Sequence, residues 1–214
     1  MTNDKVFLSE LKLLHRALQD LKQYSILSVG CGSGLFEAAL KTEYGIQVKY
    51  GIEPSKDMAA IAEKCGMTVT IGDAGTSKLP SESYDVIYLN GCSTYIENLS
   101  AAYRNCCQAL KSGGYLILLD VPVESAFGIL YQFAVQVGAY DMELFGRIAP
   151  SLPYPIELLS SAIFHSPLEK ERILRDELGM KTLSFCQTLL AQPIYINDSV
   201  EEPVEGYDKD GYTL

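Results

Sequence analysis

Glycine occupies every second position of Gly30-Cys31-Gly32-Ser33-Gly34. The apolar run Ile26-Leu27-Ser28-Val29 precedes this stretch, and a helical pattern opens at Leu35 directly after it. Glycine tolerates positive φ and lets a ligand reach the backbone without meeting a Cβ. A helix start adds unpaired N–H groups and a partial positive charge. Strand, glycine turn and helix N-terminus in that order read as a site for a nucleotide-type ligand. A dinucleotide fingerprint needs G-x-G-x-x-G, and Leu35 stands where its third glycine would be, which disfavours a nicotinamide dehydrogenase. The six cysteines, Cys31, Cys65, Cys92, Cys106, Cys107 and Cys186, contain no C-x-x-C pair, so they read as free thiols with no metal site. Cys106 and Cys107 are adjacent on a helix, about 100° apart, and do not face one ligand.

These residues need a scaffold, and the pattern supplies one. Phe7, Leu8, Leu11, Leu14, Leu18 and Leu21 recur at helical spacing between Asp4 and Tyr24. His15, on this helix, reads as partly exposed. After the glycine turn the spacing predicts a helix over Leu35–Tyr44, stopped by Gly45, and a strand over Gln47–Ile52 that ends at Glu53-Pro54. Ser55 caps a helix over Lys56–Lys64, which Gly66 closes. A third strand, Met67–Ile71, ends at Gly72-Asp73-Ala74, and a polar loop runs from Gly75 to Ser83. A fourth strand, Tyr84–Leu89, ends at Asn90-Gly91, and a helix follows over Leu99–Leu110. After the turn Lys111-Ser112-Gly113-Gly114, the fifth strand Tyr115–Leu119 is almost continuously apolar, as a strand buried on both faces should be. It ends at Asp120.

Alternating strands and helices call for an α/β fold, a doubly wound, mostly parallel sheet in three αβα layers. Ligands of such sheets bind at the carboxyl ends of the strands, which places the glycine turn, Glu53, Asp73 and Asn90 on one rim. Residues 124–166 break the rhythm with Phe127, Tyr131, Phe133, Tyr140, Phe145, Tyr154 and Phe164. They read as an insertion that covers a substrate. A helix over Pro167–Leu178, capped by Ser166 and closed by Gly179, then leads to strands over Thr182–Leu190 and Ile194–Val200. These would form a closing antiparallel hairpin and bring the sheet to seven strands. The expected organisation is one domain over residues 1–200, with an acidic, mobile tail over 201–214.

The totals exclude several classes of function. A formal net charge of −10 argues against nucleic acid as the main partner and against an anionic membrane surface. No run reaches the roughly 18 apolar residues of a membrane span, and the start at Met1-Thr2-Asn3-Asp4-Lys5 carries no signal-peptide pattern, so the expected location is cytoplasmic. The expected state is a monomer or homodimer.

The run Val29-Gly30-Cys31-Gly32-Ser33-Gly34 resembles the first motif of the class I S-adenosylmethionine-dependent methyltransferases. The order of later signals, over roughly Ser25 to Val200, is similar to the small-molecule branch that includes the ubiquinone-biosynthesis enzymes. The resemblance implies a Rossmann-like fold, S-adenosylmethionine as cofactor and methyl transfer to a small-molecule acceptor. It places Gly30, Cys31, Gly32 and Gly34 against the methionine part of the cofactor and gives Glu53 the ribose hydroxyls. Pro54 and Met58 would lie against ribose or adenine, with Asp73 and Ala74 on the adenine edge. Asn90, Gly91 and Tyr95 would sit beside the methionine moiety and the reactive sulfonium. Asp120, Tyr131 and His165 are the candidates for the acceptor side. The family commonly carries an Asp or Glu where this chain has Ser28, a group that helps orient the methionine ammonium. That departure keeps open a second reading, a binding or regulatory protein that shares the fold without catalysis. A related enzyme of another S-adenosyl cofactor chemistry is a further alternative.

Overall fold

The structure is a computed structural model and describes residues 4–21, 24–137, 160–188, 200 and 202–205. The chain clusters into two compact units, one of Leu14–Asp120 with Lys170–Lys181, the other of Met1–Leu13, Val121–Glu169 and Thr182–Leu214. The expected insertion over 124–166 thus falls within the second unit. Helix α1 (Asp4–Leu18) opens the chain and continues as a 3-10 turn over Gln19–Leu21. Leu11, Leu14 and Leu18 of its apolar stripe are buried.

The first unit is built on a parallel sheet of β1 (Ile26–Val29), β2 (Tyr50–Glu53), β3 (Thr68–Ile71), β4 (Tyr84–Asn90) and β5 (Leu110–Leu119). The strand order is β3-β2-β1-β4-β5. Every residue of the central strand β1 is buried. Alternation along β1 sorts its side chains by face. Leu27 and Val29, with Ile87 and Leu89 of β4, form the core with Leu99, Ala102, Tyr103 and Cys106 of α4 (Leu99–Ala109). Each such aliphatic side chain contributes about 1.5–3 kcal/mol on burial. Ser28 lies on the opposite face, in register with Gly51 of β2 and Tyr88 of β4.

Local chemistry sets the helix ends. Gly45, at φ 69°, terminates α2 (Leu35–Tyr44), and the Ser55 hydroxyl accepts the Met58 N–H at 3.4 Å to open α3 (Lys56–Lys64). Asn98 caps α4 by accepting the Ala101 N–H at 2.9 Å. His15 stacks on Tyr44, with ring centroids 3.8 Å apart.

The strands depart from expectation at their ends. β2 begins at Tyr50 rather than Gln47, although Val48 is buried. β5 begins at Leu110 because the residues 111–114, expected as a turn, are taken up in the strand as an irregularity. Tyr84 pairs with Leu110, yet Val86 pairs with Tyr115. Leu116, Ile117 and Leu118 are half-buried rather than enclosed on both faces, because β5 is the edge of this sheet among the described residues.

In the second unit, α5 (Ala126–Val137) starts at Ser125, whose hydroxyl accepts the Gly128 N–H at 3.0 Å. Tyr131 is buried between the rings of Phe127 and Phe164, at 5.9 and 5.7 Å. Helix α6 (Pro167–Arg172) starts in this unit and from Lys170 belongs to the sheet unit, as does the π-turn over Ile173–Glu177 that continues it. Gly179, at φ 67°, ends it as the sequence predicts. The expected closing hairpin differs: β6 (Cys186–Gln187) pairs antiparallel with β7 (Val204–Glu205), which lies in the stretch read as a mobile tail. Strands of two residues carry no periodicity long enough to read, and residues 194–199 of the expected last strand lie outside the described residues. Among the described residues five strands stand in the parallel sheet and two in a separate ribbon.

Candidate functional site

Hydrogen bonds join the carboxyl ends of β1 to β5 into one rim. The Gly30 and Cys31 N–H groups both donate to the Ile52 carbonyl, at 2.8 and 3.1 Å. Gly72 donates to the Glu53 carbonyl at 3.2 Å, and Gly91 to the Leu119 carbonyl at 2.7 Å. The Cys92 thiol, 3.1 Å from the Val29 carbonyl, closes β4 onto β1. The first glycine is obligatory. Gly30 sits at φ 71°, and a Cβ there would lie 2.6 Å from the Cys92 Cβ. Gly32, at φ 55°, faces open space, with no atom within 4 Å of the position a Cβ would take.

Glu53 holds this turn in shape. It is buried, and its Oε2 accepts the Gly32 N–H at 2.9 Å while Oε1 accepts the Ser55 N–H at 2.9 Å. One carboxylate therefore bridges the glycine turn and the start of α3. Each oxygen keeps a lone pair for a further donor. Pro54 and Met58 are exposed beside it.

Asp73, at the end of β3, is exposed and folds onto its own turn. Oδ1 accepts the Gly75 and Thr76 N–H groups at 2.8 and 2.9 Å, and Oδ2 accepts the Thr76 hydroxyl. The Thr76 hydroxyl, more than any other contact, holds the Asp73 carboxyl below its usual range. Ala74 is buried, and the Asn105 amide donates to its carbonyl at 2.8 Å, which pins this loop to α4. Asn90 is half-buried, Gly91 adopts φ 67°, and Tyr95 is half-exposed on a 3-10 turn over Ser93–Tyr95. Burial raises the Tyr95 phenol.

The acceptor candidates are not gathered in one unit. Asp120, in the sheet unit, is committed to Lys170 of α6 at 2.7 Å. Both side chains are about 95% buried, at 6% and 5% exposure, and Asp120 Oδ1 has no partner among the described residues. Tyr131 and His165 belong to the second unit. There the His165 carbonyl accepts the Val123 N–H at 3.3 Å, and its Nδ1 lies 3.3 Å from the Glu169 carboxylate. Its Nε2 is buried without a partner among the described residues.

Two groups escaped the sequence reading. Lys170 pairs with a residue 50 positions away, so no local pattern announces it. Glu37 is the other. It lies on α2 in phase with the buried Leu40, and only 5% of it is exposed. The Tyr88 hydroxyl donates to its Oε1 at 2.5 Å, with Ser28 beside the same carboxylate. An acidic residue on the apolar stripe of a helix was the available signal. Burial, first of all, raises the Glu37 carboxyl. Burial, then Glu37 and Glu53, push the Cys31 thiol up to about 12, which disfavours its thiolate form at neutral pH. No group of three or more metal-binding side chains occurs among the described residues.

The chain is similar to known methyltransferases. A family profile described as a methyltransferase domain matches residues 27–118. An uncharacterised protein of Methanocaldococcus jannaschii is 26% identical over 210 residues, covering 98% of this chain and 88% of its own length. A phosphoethanolamine N-methyltransferase of Triticum aestivum is 27% identical over 72% of this chain, which spans only 31% of that enzyme. Among solved structures, an S-adenosylmethionine-dependent methyltransferase of Thermotoga maritima superposes with a TM-score of 0.75 at 28% identity, covering 97% of this chain and 86% of that one.

Proposed function

We propose that this chain is a class I S-adenosylmethionine-dependent methyltransferase that transfers the methyl group to a small-molecule acceptor by in-line displacement, a reading supported by the methyltransferase-domain profile over residues 27–118 and by the likeness to the Thermotoga maritima structure. The observation that carries this reading is the Glu53 bridge, a buried carboxylate holding the glycine turn open at the carboxyl rim. The residues present suit the cofactor. The open face of Gly32 leaves room for a ligand against the backbone, and Glu53 retains acceptor capacity for two hydroxyls. Gly30, Cys31, Gly32 and Gly34 would hold the methionine part, Glu53 the ribose, and Asp73 with the Ala74 N–H the adenine edge. Pro54 and Met58 would cover the nucleoside, and Asn90, Gly91 and Tyr95 the side nearest the reacting carbon.

When bound, the cofactor supplies a methyl group activated by its sulfonium. The protein's share is then alignment and exclusion of water. A base is needed only when the nucleophile arrives protonated. His165 is the acceptor-side candidate whose bonding suits that task. Glu169 beside Nδ1 orients the ring and leaves Nε2 as the exchanging nitrogen. Asp120 does not suit it, because Lys170 occupies its carboxylate.

The net charge of −10 supports a small-molecule acceptor over nucleic acid, and no described helix is long and apolar enough to cross a membrane. The test is calorimetric binding of S-adenosylhomocysteine, followed by its release from S-adenosylmethionine in the presence of small amines, phenols, carboxylic acids and thiols. Binding and acceptor-dependent release are expected. Binding without release for any acceptor would favour the non-catalytic reading.

A further inference from the structure

Asp120 and Lys170 form an ion pair that the mechanism above leaves unused. Both lie in the sheet unit, with 2.7 Å between Oδ2 and Nζ and side chains only 6% and 5% exposed. Stability alone does not account for this pair. Two charges lose their hydration, and Asp120 Oδ1 is buried with no partner among the described residues to offset the loss. Apolar residues of similar volume would join β5 to α6 without that cost. Nor does the segment depend on the pair for its place. Ile173, Leu174, Leu178 and Met180, just beyond Lys170, pack against the core of β1, β4 and α4. The Ser100 hydroxyl of α4 also donates to the Glu177 carboxylate.

What distinguishes the pair is where its contacts lead. The peptide that joins Leu119 to Asp120 carries the carbonyl that accepts the Gly91 N–H at 2.7 Å. That peptide is planar, so pinning the Asp120 side chain restricts the rotations that would swing the carbonyl away. Gly91, at φ 67°, turns the chain at the end of β4. Cys92 comes next. Its thiol donates to the Val29 carbonyl at 3.1 Å, and its Cβ stands 2.6 Å from where a Cβ on Gly30 would lie. The Thr94 hydroxyl and the Tyr95 N–H donate back to the Gly91 and Cys92 carbonyls, at 3.4 and 3.0 Å. Lys170 is thus two hydrogen bonds and one peptide away from the turn that borders the glycines.

We propose that Lys170, by holding Asp120, is a positioning residue for the methyl-donor site, where it sets the Asn90-Gly91-Cys92 turn against the glycine turn. The proposal rests on the cofactor placement given under the proposed function, in which Asn90 and Gly91 border the methionine part of the donor and Asp73 with Ala74 the adenine. Lys170 acts through Asp120 and the backbone, not on the reacting atoms. The pair therefore serves one half of the ligand. Loosening it should cost contacts to the amino-acid part and spare those to the nucleoside.

The experiment replaces both members of the pair in the full chain, Asp120→Leu together with Lys170→Met, and compares two ligands. S-adenosylhomocysteine carries the amino-acid part. 5′-Methylthioadenosine has the same nucleoside and sulfur without it. Calorimetry measures the first, and displacement of the first measures the second. Removing both charges together leaves no unpaired ion, so the double variant should fold. Its preference for S-adenosylhomocysteine over 5′-methylthioadenosine is expected to fall about tenfold. An unchanged preference, including one where both ligands weaken equally, makes the pair merely structural and overturns the proposal. Failure of the wild type to bind S-adenosylhomocysteine overturns the cofactor reading itself. If the double variant does not fold, Asp120→Asn decides. Asn keeps the shape and an oxygen for Lys170 but loses the charge-assisted bond. The preference should then fall in the same direction by a smaller factor, and an unmoved preference overturns the proposal.

Discussion

Glu53 and Asp73 end neighbouring parallel strands, both as the last acidic group before a turn, yet the two rims differ in construction. Glu53 is buried and spends its oxygens on two separate elements, the glycine turn and α3. Asp73 is exposed and spends its oxygens within the next three residues. A carboxylate that ties distant parts of the chain sets the shape of the site before any ligand arrives. One that closes its own turn fixes only that turn, and its loop is held in place from elsewhere, by Asn105. Preorganisation should therefore be concentrated over β1 and β2, with the β3 rim tolerant of change.

The largest effect should come from Gly30→Ala, which strikes the preorganised rim twice. Positive φ costs a non-glycine residue about 1–2 kcal/mol, and the new Cβ meets the Cys92 Cβ at 2.6 Å. Overpacking of this kind adds about 1–3 kcal/mol. Denaturant melts should show the combined loss. Adding Cys92→Gly should restore only the packing part, since the backbone strain stays. A double variant as stable as the wild type would mean the turn relaxes freely and is not preorganised.

Glu53→Gln should come next, acting on affinity. Gln offers one acceptor oxygen and must turn its NH2 towards the other backbone donor. Hydrogen bonds to a charged group contribute about 1.5–3 kcal/mol, so S-adenosylhomocysteine should bind about 10- to 100-fold more weakly by calorimetry. Asp73→Ala should cost less than about threefold in the same titration, the range of an exposed interaction. Equal losses at the two positions would break the comparison and show that Asp73 leaves its own turn to hold the ligand.

How much of this could be read in advance follows the same division. The glycine turn, Glu53, the Ser55 cap and the alternation of strands with helices are encoded within short stretches, where periodicity and turn chemistry act directly. So is Asp73, whose partners are its immediate neighbours. Glu37 and Lys170 were not legible, because burial against a distant strand and a partner 50 residues away arise only in the folded chain. The start of β5 was missed for a related reason. Gly113 and Gly114 signal a turn locally, and pairing of Leu110 with Tyr84 overrides it. Ser28 shows the limit of a motif reading. An acidic group absent from the strand stands beside it in space, on α2.

The smallest effect is expected at the amino ends of the strands, where a third carboxylate bridges backbone and side chain. Asp85 accepts the Ser25 N–H at 2.8 Å and both of its oxygens lie 2.9 Å from Lys111 Nζ. It resembles Glu53 in linking two elements but lies nearer the solvent. Lys111, then the Ser25 N–H, hold the Asp85 carboxyl below its usual range. The stabilisation is therefore present above the unfolded carboxylate range and is lost as pH falls through the lowered folded value. Lys111→Ala should cost less than about 1 kcal/mol near neutral pH, as exposed ion pairs do, and its melting temperature should converge with that of the wild type as pH falls below that range. S-adenosylhomocysteine affinity should not change, because the amino rim lies at the opposite ends of the strands from the glycine turn. A loss of affinity as large as that of Glu53→Gln would mean that bridging a strand end, and not its place at the carboxyl rim, is what prepares the site.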